Sequence, residues 1–446
     1  MPKPSLDLIQ QVVEKAKAAG ADAADALAVE GRSLSVTVRN GKLEDIERAE
    51  AQDFGLRVFV GHRQAIVSSS DFSDDAINAL VERVVDMAKV APEDSDAILP
   101  DAAQQGYDPA LDLDLLDKGE VSEETIKEHA RRAEAAGLVV KGITNSEGGG
   151  ASVSKSQIYL LSSTGFSGHY RTSSHSLYAT LIAGDDTGME RDYDYSSTRH
   201  FEDLESPETI GRSAGERTVK RLNARKPDTG AVPIIFSPRV SNSLLGHFLQ
   251  AINGEAISRG TSFLKNQMGK QIFGKGVAIS DDPLRIRGLR SKPFDGEGIA
   301  TRKLQIIVDG RLESWILDCT NARKLGLATT GHASRGIAGR PSPQPTNVFL
   351  HPGQEDPEAL MDGIESGFYI TELIGMGVNP VTGDYSRGAT GFWIEGGKIS
   401  YPVNEVSIAG NLKDMFKALI PANDLEFRYG IDAPTVRIDG MTVAGN

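Results

Sequence analysis

The chain has 446 residues, a formal net charge of −14, 39% hydrophobic and 25% charged residues, and one cysteine. Such a length exceeds what a single core organises and predicts three domains, at residues 1–95, 96–225 and 226–446. The negative charge argues against a nucleic-acid-binding surface, and the lone Cys319 excludes an internal disulfide or a cysteine-rich zinc site.

From the start of the chain, Leu8, Ile9, Val12, Val13 and Ala16 fall on one side of a helix, not in an apolar leader. No run is long enough to span a membrane, so a cytoplasmic location without membrane contact is expected. Short strands are predicted at 24–30, 33–39, 44–50, 53–60 and 63–69, with turn signals at Asn40-Gly41 and Gly61-His62. Ser73 caps a helix over 73–90. The acidic segment 91–120 carries three prolines and no period, which predicts a surface linker. A helix over 122–137 follows, then polar strands to about residue 200 and a helix over 207–224. The only basic-leaning stretch, "RSAGERTVKRLNARK" (212–226), reads as a solvated helix face. "AVPIIFS" is an apolar strand, and the remaining residues are rich in glycine and β-formers around few helices.

Ser237-Pro238 opens a helix with Val240, Leu244, Leu245, Phe248, Leu249 and Ile252 in an apolar stripe, and Gly254 stops it. His247 lies at the edge of that stripe, but a His-Glu-x-x-His zinc helix needs a second His at 251, which is Ala. His247 is therefore read as a packed histidine. His169 and His175 share a strand face but stand roughly 20 Å apart, too far to share a metal. "GFSGH" (165–169) lacks the second glycine of a nucleophile elbow. Cys319 with His332 is a candidate nucleophile and base, set against a simply buried thiol. "GMGVNPVTG" (375–383) has Pro380 where a dinucleotide fingerprint has its third glycine. Asp112/Asp114 and Asp185/Asp186 read as solvated turns. The residues alone describe a multidomain α+β protein with no complete catalytic or metal motif.

Longer stretches are more specific. "GMGVNPVTGDYSRGATGFWIEGGKISYPVNEVSIAGNL" (375–412), "RPSPQPTNVFLHPG" (340–353) and "INGEAISRGTSFLKNQMGKQI" (252–272) resemble segments of the TldD/PmbA family, and the likeness extends over essentially the whole chain. The residue patterns predict an α+β fold: an N-terminal helix-and-strand domain, which the resemblance includes, a central polar antiparallel sheet with helices, and a large curved, mostly antiparallel C-terminal sheet. TldD-like members carry a His-Glu-x-x-x-His helix and a cysteine ligand. PmbA-like members (TldE) lack them and pair with TldD to trim unfolded peptides. Aligned on Arg259-Gly260-Thr261-Ser262, those ligand and base positions fall on Leu245, Gly246 and Gln250, which places this chain in the PmbA branch. "FRYGIDAP" (427–434) stands where the cysteine loop would be.

The resemblance thus implies a non-catalytic subunit that binds no cofactor of its own, with zinc on a TldD-like partner and an extended peptide as substrate. It also implies self-association of the isolated chain through the partner surface. Gly254, Arg259, Gly260, Thr261, Ser262, Thr346 and Asn347, with the Gly-rich signature, are the candidates for lining the peptide cleft. The alternatives are a stand-alone cysteine hydrolase and a regulatory binding protein of the gyrase-modulator kind.

Overall fold

The computed structural model describes residues 4–185 and 188–446; Asp186 lies outside them. Helix α1 (Leu6–Ala18) leads into strands β1 (Ala23–Arg39), β2 (Lys42–Val60) and β3 (Arg63–Ser69), then α2 (Asp74–Val90) and α3 (Glu123–Leu138). Strands β4 (Ile143–Ser162), β5 (Ser167–Asp185) and β6 (Gly188–Thr198) precede α4 (Pro207–Lys220). All six strands form one antiparallel sheet in the order β3-β2-β1-β4-β5-β6.

The five short strands expected before residue 70 are three, two of them long. The chain turns only where φ becomes positive, at Asn40 (50°), Gly41 (73°) and Gly61 (56°). Gly31 instead stays in the ladder between Ala51 and Ser156, so 24–30 and 33–39 merge into β1. At 17 to 20 residues, β1, β2, β4 and β5 reach roughly 60 Å. One helix pair cannot cover that length. On the same face of β1, Ala24, Ala26 and Ala28 pack under α1 and α2, while Val36 and Val38 pack under α3 and α4. Ser5, Ser73, Ser122 and Ser206 cap the four helices by accepting a hydrogen bond from the amide three residues on.

The opposite face of β1 and β2 meets the C-terminal half of the chain. Leu27 and Leu160 pack with Phe166 and Phe294. Beside them the buried Asp25 carboxylate lies between the Arg57 and Arg335 guanidinium groups, at 3.1 and 2.7 Å. Burial alone would raise the Asp25 carboxyl, but Arg335 and Arg57 hold it below the usual carboxylate range. The segment 91–120 is not a free linker. Ala97, Leu99, Leu113 and Leu115 are buried, Gly106 donates to the Gly298 carbonyl, and Arg323 donates to the Asp96 carbonyl. Its apolar residues are too sparse to show a period, yet they anchor it as a strap.

Downstream come β7 (Gly230–Phe236), α5 (Pro238–Ala251), α6 (Gly254–Ser258), β8 (Ile279–Asp281), β9 (Leu304–Val308), β10 (Arg311–Leu312) and α7 (Cys319–Lys324). β11 (Ala333–Ser334), β12 (Ser342–Pro343) and β13 (Val348–Leu350) precede β14 (Ser366–Val378), β15 (Asp384–Glu395) and β16 (Lys398–Asn411). The chain continues through α8 (Leu412–Ala418), β17 (Ile420–Pro421), β18 (Ile431–Asp432) and β19 (Val436–Ala444). The curved, mostly antiparallel sheet expected here closes on itself: the order β16-β15-β14-β7-β19 returns to β16 through Ser407–Ala409 and Thr442–Ala444. Only β14–β7 is parallel in that barrel. A second sheet, β10-β9-β8-β13-β18, packs beside it. No helix among the described residues is long and apolar enough to cross a membrane.

Candidate functional site

Helix α5 forms as its sequence suggests, with Pro238 in the first turn and Val240, Leu244, Leu245, Phe248 and Leu249 buried in the barrel core. Its wetter side carries Ser243, Gly246 and Gln250. From position 245 to 250 a helix rotates roughly 140°. Leu245 is accordingly sealed in the core at 2% exposure, while Gln250 stands in solvent. A side chain at Gly246 would meet nothing within 4 Å. Of these three positions only Gln250 offers a donor, a neutral amide, so the helix does not fit zinc. Among the described residues no group of three or more His, Cys, Asp or Glu could hold a metal ion.

His247 faces inward at 8% exposure, its ring edge-on to Tyr385 with centroids 5.9 Å apart. Neither ring nitrogen has a partner. Burial, reinforced by the Arg387 cation, depresses its pKa to about 4, so the packed ring is neutral at ordinary pH.

The cleft candidates divide. Gly254 is buried because its amide donates to the Ile316 carbonyl at 2.9 Å, and a Cβ there would meet that oxygen and Leu317. Ser262 is buried and bonds the Ala251 carbonyl. The Thr346 amide and hydroxyl both donate to Asp281, and Asn347 is bonded to Arg290, Asp282 and Ser291. These four residues face protein. Arg259 pairs with Glu255 on the surface, Gly260 turns the chain at φ 70°, and Thr261 is exposed. The loop they form is tied to the β14–β15 turn by the Phe263 amide, which donates to the Pro380 carbonyl at 3.0 Å.

A backbone edge lies along β14. Phe368–Ile370 pair with Ile234–Phe236 of β7, whereupon the chain leaves the sheet through Ser237 into α5. Beyond Ile370, as far as Val378, β14 keeps β15 on one side and has no strand on the other among the described residues. The ladder bulges between Ile370 and Glu372 and between Ile374 and Gly377, and Ile374 and Met376 are 58% and 78% exposed. Residues 375–378 of the Gly-rich signature belong to this edge. The exposed apolar pair among glycines was the signal available in the sequence; that β7 would abandon its neighbour there was not.

Cys319 and His332 do not form a catalytic pair. The thiol is buried, and burial with the neighbouring Glu297 and Asp295 pushes its pKa far up. His332 is held at both ring nitrogens, by the Thr330 carbonyl at 2.9 Å and Asp281 at 3.1 Å. Glu297 is itself raised to about 7, by burial and Asp295, and accepts from the Cys319 amide. This constellation stiffens the start of α7 and leaves no reactive thiolate, which disfavours the cysteine-hydrolase alternative.

Comparison with known proteins adds ancestry. Residues 24–88 match the family model for PmbA/TldA metallopeptidase domain 1, residues 116–222 its central domain and residues 229–445 its C-terminal domain. Metalloprotease PmbA of Escherichia coli O157:H7 is 38% identical over 95% of this chain and 92% of its own length. The Metalloprotease PmbA homolog of Haemophilus influenzae is 36% identical over 97% and 94%. A Bacteroides thetaiotaomicron structure described as a candidate modulator of DNA gyrase superposes with a TM-score of 0.90 at 26% identity, covering 99% of this chain and 98% of that one. TldE from Thermococcus kodakarensis shares the fold, with a TM-score of 0.87 at 20% identity over 98% and 100% of the chains.

Proposed function

The chain belongs to the PmbA/TldD metallopeptidase family, and on that premise we propose that it is a TldE-type subunit, non-catalytic by itself, of a cytoplasmic metallopeptidase complex. A TldD-like partner supplies the zinc and the water chemistry; no hydrolytic step runs through residues of this chain. Its own contribution is to complete the chamber and to hold an extended peptide by strand addition along Thr371–Val378. Backbone hydrogen bonding of that kind accepts many sequences, as trimming of unfolded peptides requires. The observation that carries the reading is α5: its proline start, apolar stripe and packing are intact, and the ligand and base positions that the resemblance implies fall on Leu245, Gly246 and Gln250.

The test combines purified chain with a TldD-like partner. Elemental analysis is expected to find no stoichiometric zinc on the isolated chain, and peptidase activity is expected only in the mixture. Light scattering is expected to give a self-associated species alone and a heteromer on mixing. Stoichiometric zinc on the isolated chain, or a partner whose activity ignores it, would refute the proposal.

A further inference from the structure

The point where β7 leaves the sheet opens into a cavity of about 490 Å³ between the central helix α4 and the barrel. Ser237, Pro238 and Arg239 at the start of α5 line it, with Thr371, the first residue of the free β14 edge. Ser237 caps α5 in sequence but not in hydrogen bonding. Its hydroxyl is buried and has no partner, and the residue is 5% exposed. The first turn of α5 leaves the Arg239 amide without an intrahelical acceptor, in the positive end of the helix dipole.

The cationic side chains around this point are unequally compensated. Arg239 bonds Asp192 at 2.9 Å, and Arg221 is engaged by Glu190, Asp192 and Glu372. Of the other acids that line the cavity, Asp424 accepts from the Thr435 amide and hydroxyl, and the exposed Glu426 lies 4.0 Å from Arg428. The Lys220 ammonium, also on the wall, has no ion-pair or hydrogen-bond partner among the described residues. One Arg217 nitrogen lies 3.0 Å from Asp194 without hydrogen-bond alignment. An ammonium, an idle buried hydroxyl and a helix N-terminus thus line one cavity at the start of the β14 edge. Together they suit a carboxylate.

We infer that this cavity receives the C-terminal carboxylate of an extended peptide lying antiparallel along β14. Direction follows from polarity. A strand antiparallel to β14 has its C-terminus beside Thr371, against Ser237 and Lys220, whereas a parallel one would bring an ammonium there. The substrate class is therefore a peptide with a free C-terminus, whose last side chain rests among Tyr369, Phe392 and Tyr429. The inference rests on the strand-addition reading above.

Fluorescence anisotropy on the full-length chain tests it, with an N-terminally labelled unstructured decapeptide as free acid and as C-terminal amide. The acid is expected to bind roughly tenfold more tightly, the scale of one charge-assisted hydrogen bond. The exposed Lys220→Ala is expected to erase the difference between acid and amide. Equal binding of acid and amide, or a tenfold preference untouched by Lys220→Ala, would overturn the carboxylate site while leaving strand addition standing. Binding of neither peptide would overturn both.

Discussion

Replacing His247 with phenylalanine should make the protein's stability less sensitive to acid. Phenylalanine keeps a ring against Tyr385 and removes two ring nitrogens that have no partners. The histidine's pKa is 6.5 when unfolded and about 4 when folded. Its folded pKa is the lower one, so unfolding takes up a proton. Stability is complete above pH 6.5 and is lost as pH falls towards 4. The full depression corresponds to about 3 kcal/mol, of which about 2 kcal/mol is already lost at pH 5. Urea unfolding at pH 7.5 and pH 5 reads this directly. The buried His175 and the half-buried His351 are depressed by burial as well, so the quantity to compare is wild type minus His247→Phe. The variant should lose about 2 kcal/mol less than wild type between the two pH values. Equal losses would mean that the ring is solvated or paired in solution, and the account of α5 as a dry, packed scaffold would fail.

Further outcomes follow from geometry. Asp25→Ala strands the buried Arg57 and Arg335 and should cost about 3–5 kcal/mol in guanidinium unfolding. Removing the exposed Glu255–Arg259 pair should cost under about 1 kcal/mol. Because Asp25 is held below the usual carboxylate range, its contribution is present above pH 3.8 and is lost as pH falls through the folded value. Gly211→Ala would push a methyl to 1.8 Å from the Ala133 carbonyl oxygen and should destabilise by on the order of 3 kcal/mol, as a lowered thermal midpoint. Cys319 should resist a thiol reagent at pH 8 until denaturant is added; rapid reaction of the native protein would restore the nucleophile reading.

Helices were legible because their apolar residues recur at helical spacing and their caps are local: Ser73 and Ser206 cap as their positions suggest. Strands were legible as strands, but a period of two says nothing about which neighbour a strand finds. Hence β1 and β2 were read as four pieces, and closure of the barrel through β16 and β19 was invisible. Thr346 and Asn347 are cleft candidates only through the family-like segment 340–353; their partners, Asp281 and Ser291, are more than fifty residues away in sequence. The basic stretch 212–226 was read as a solvated face. Arg221 is only 10% exposed and is held by three carboxylates that only the tertiary fold brings to it.

The closed barrel also bears on the order in which the protein is made. β7, at residues 230–236, has β14 on one side and β19, at residues 436–444, on the other. It must wait for about 130 more residues before β14 can pair with it and about two hundred before β19 can, a separation that slows folding. Until Val436 emerges from the ribosome, β7 and β16 offer unpaired backbone to any strand nearby. The six-stranded sheet, whose last strand is finished by residue 198, has no such dependence. Synthesis therefore delivers a folded front half carrying an unfinished, edge-exposed rear half. A prematurely stopped chain would be a strand acceptor in its own right, at risk of capturing the very unfolded peptides the finished protein is proposed to hold.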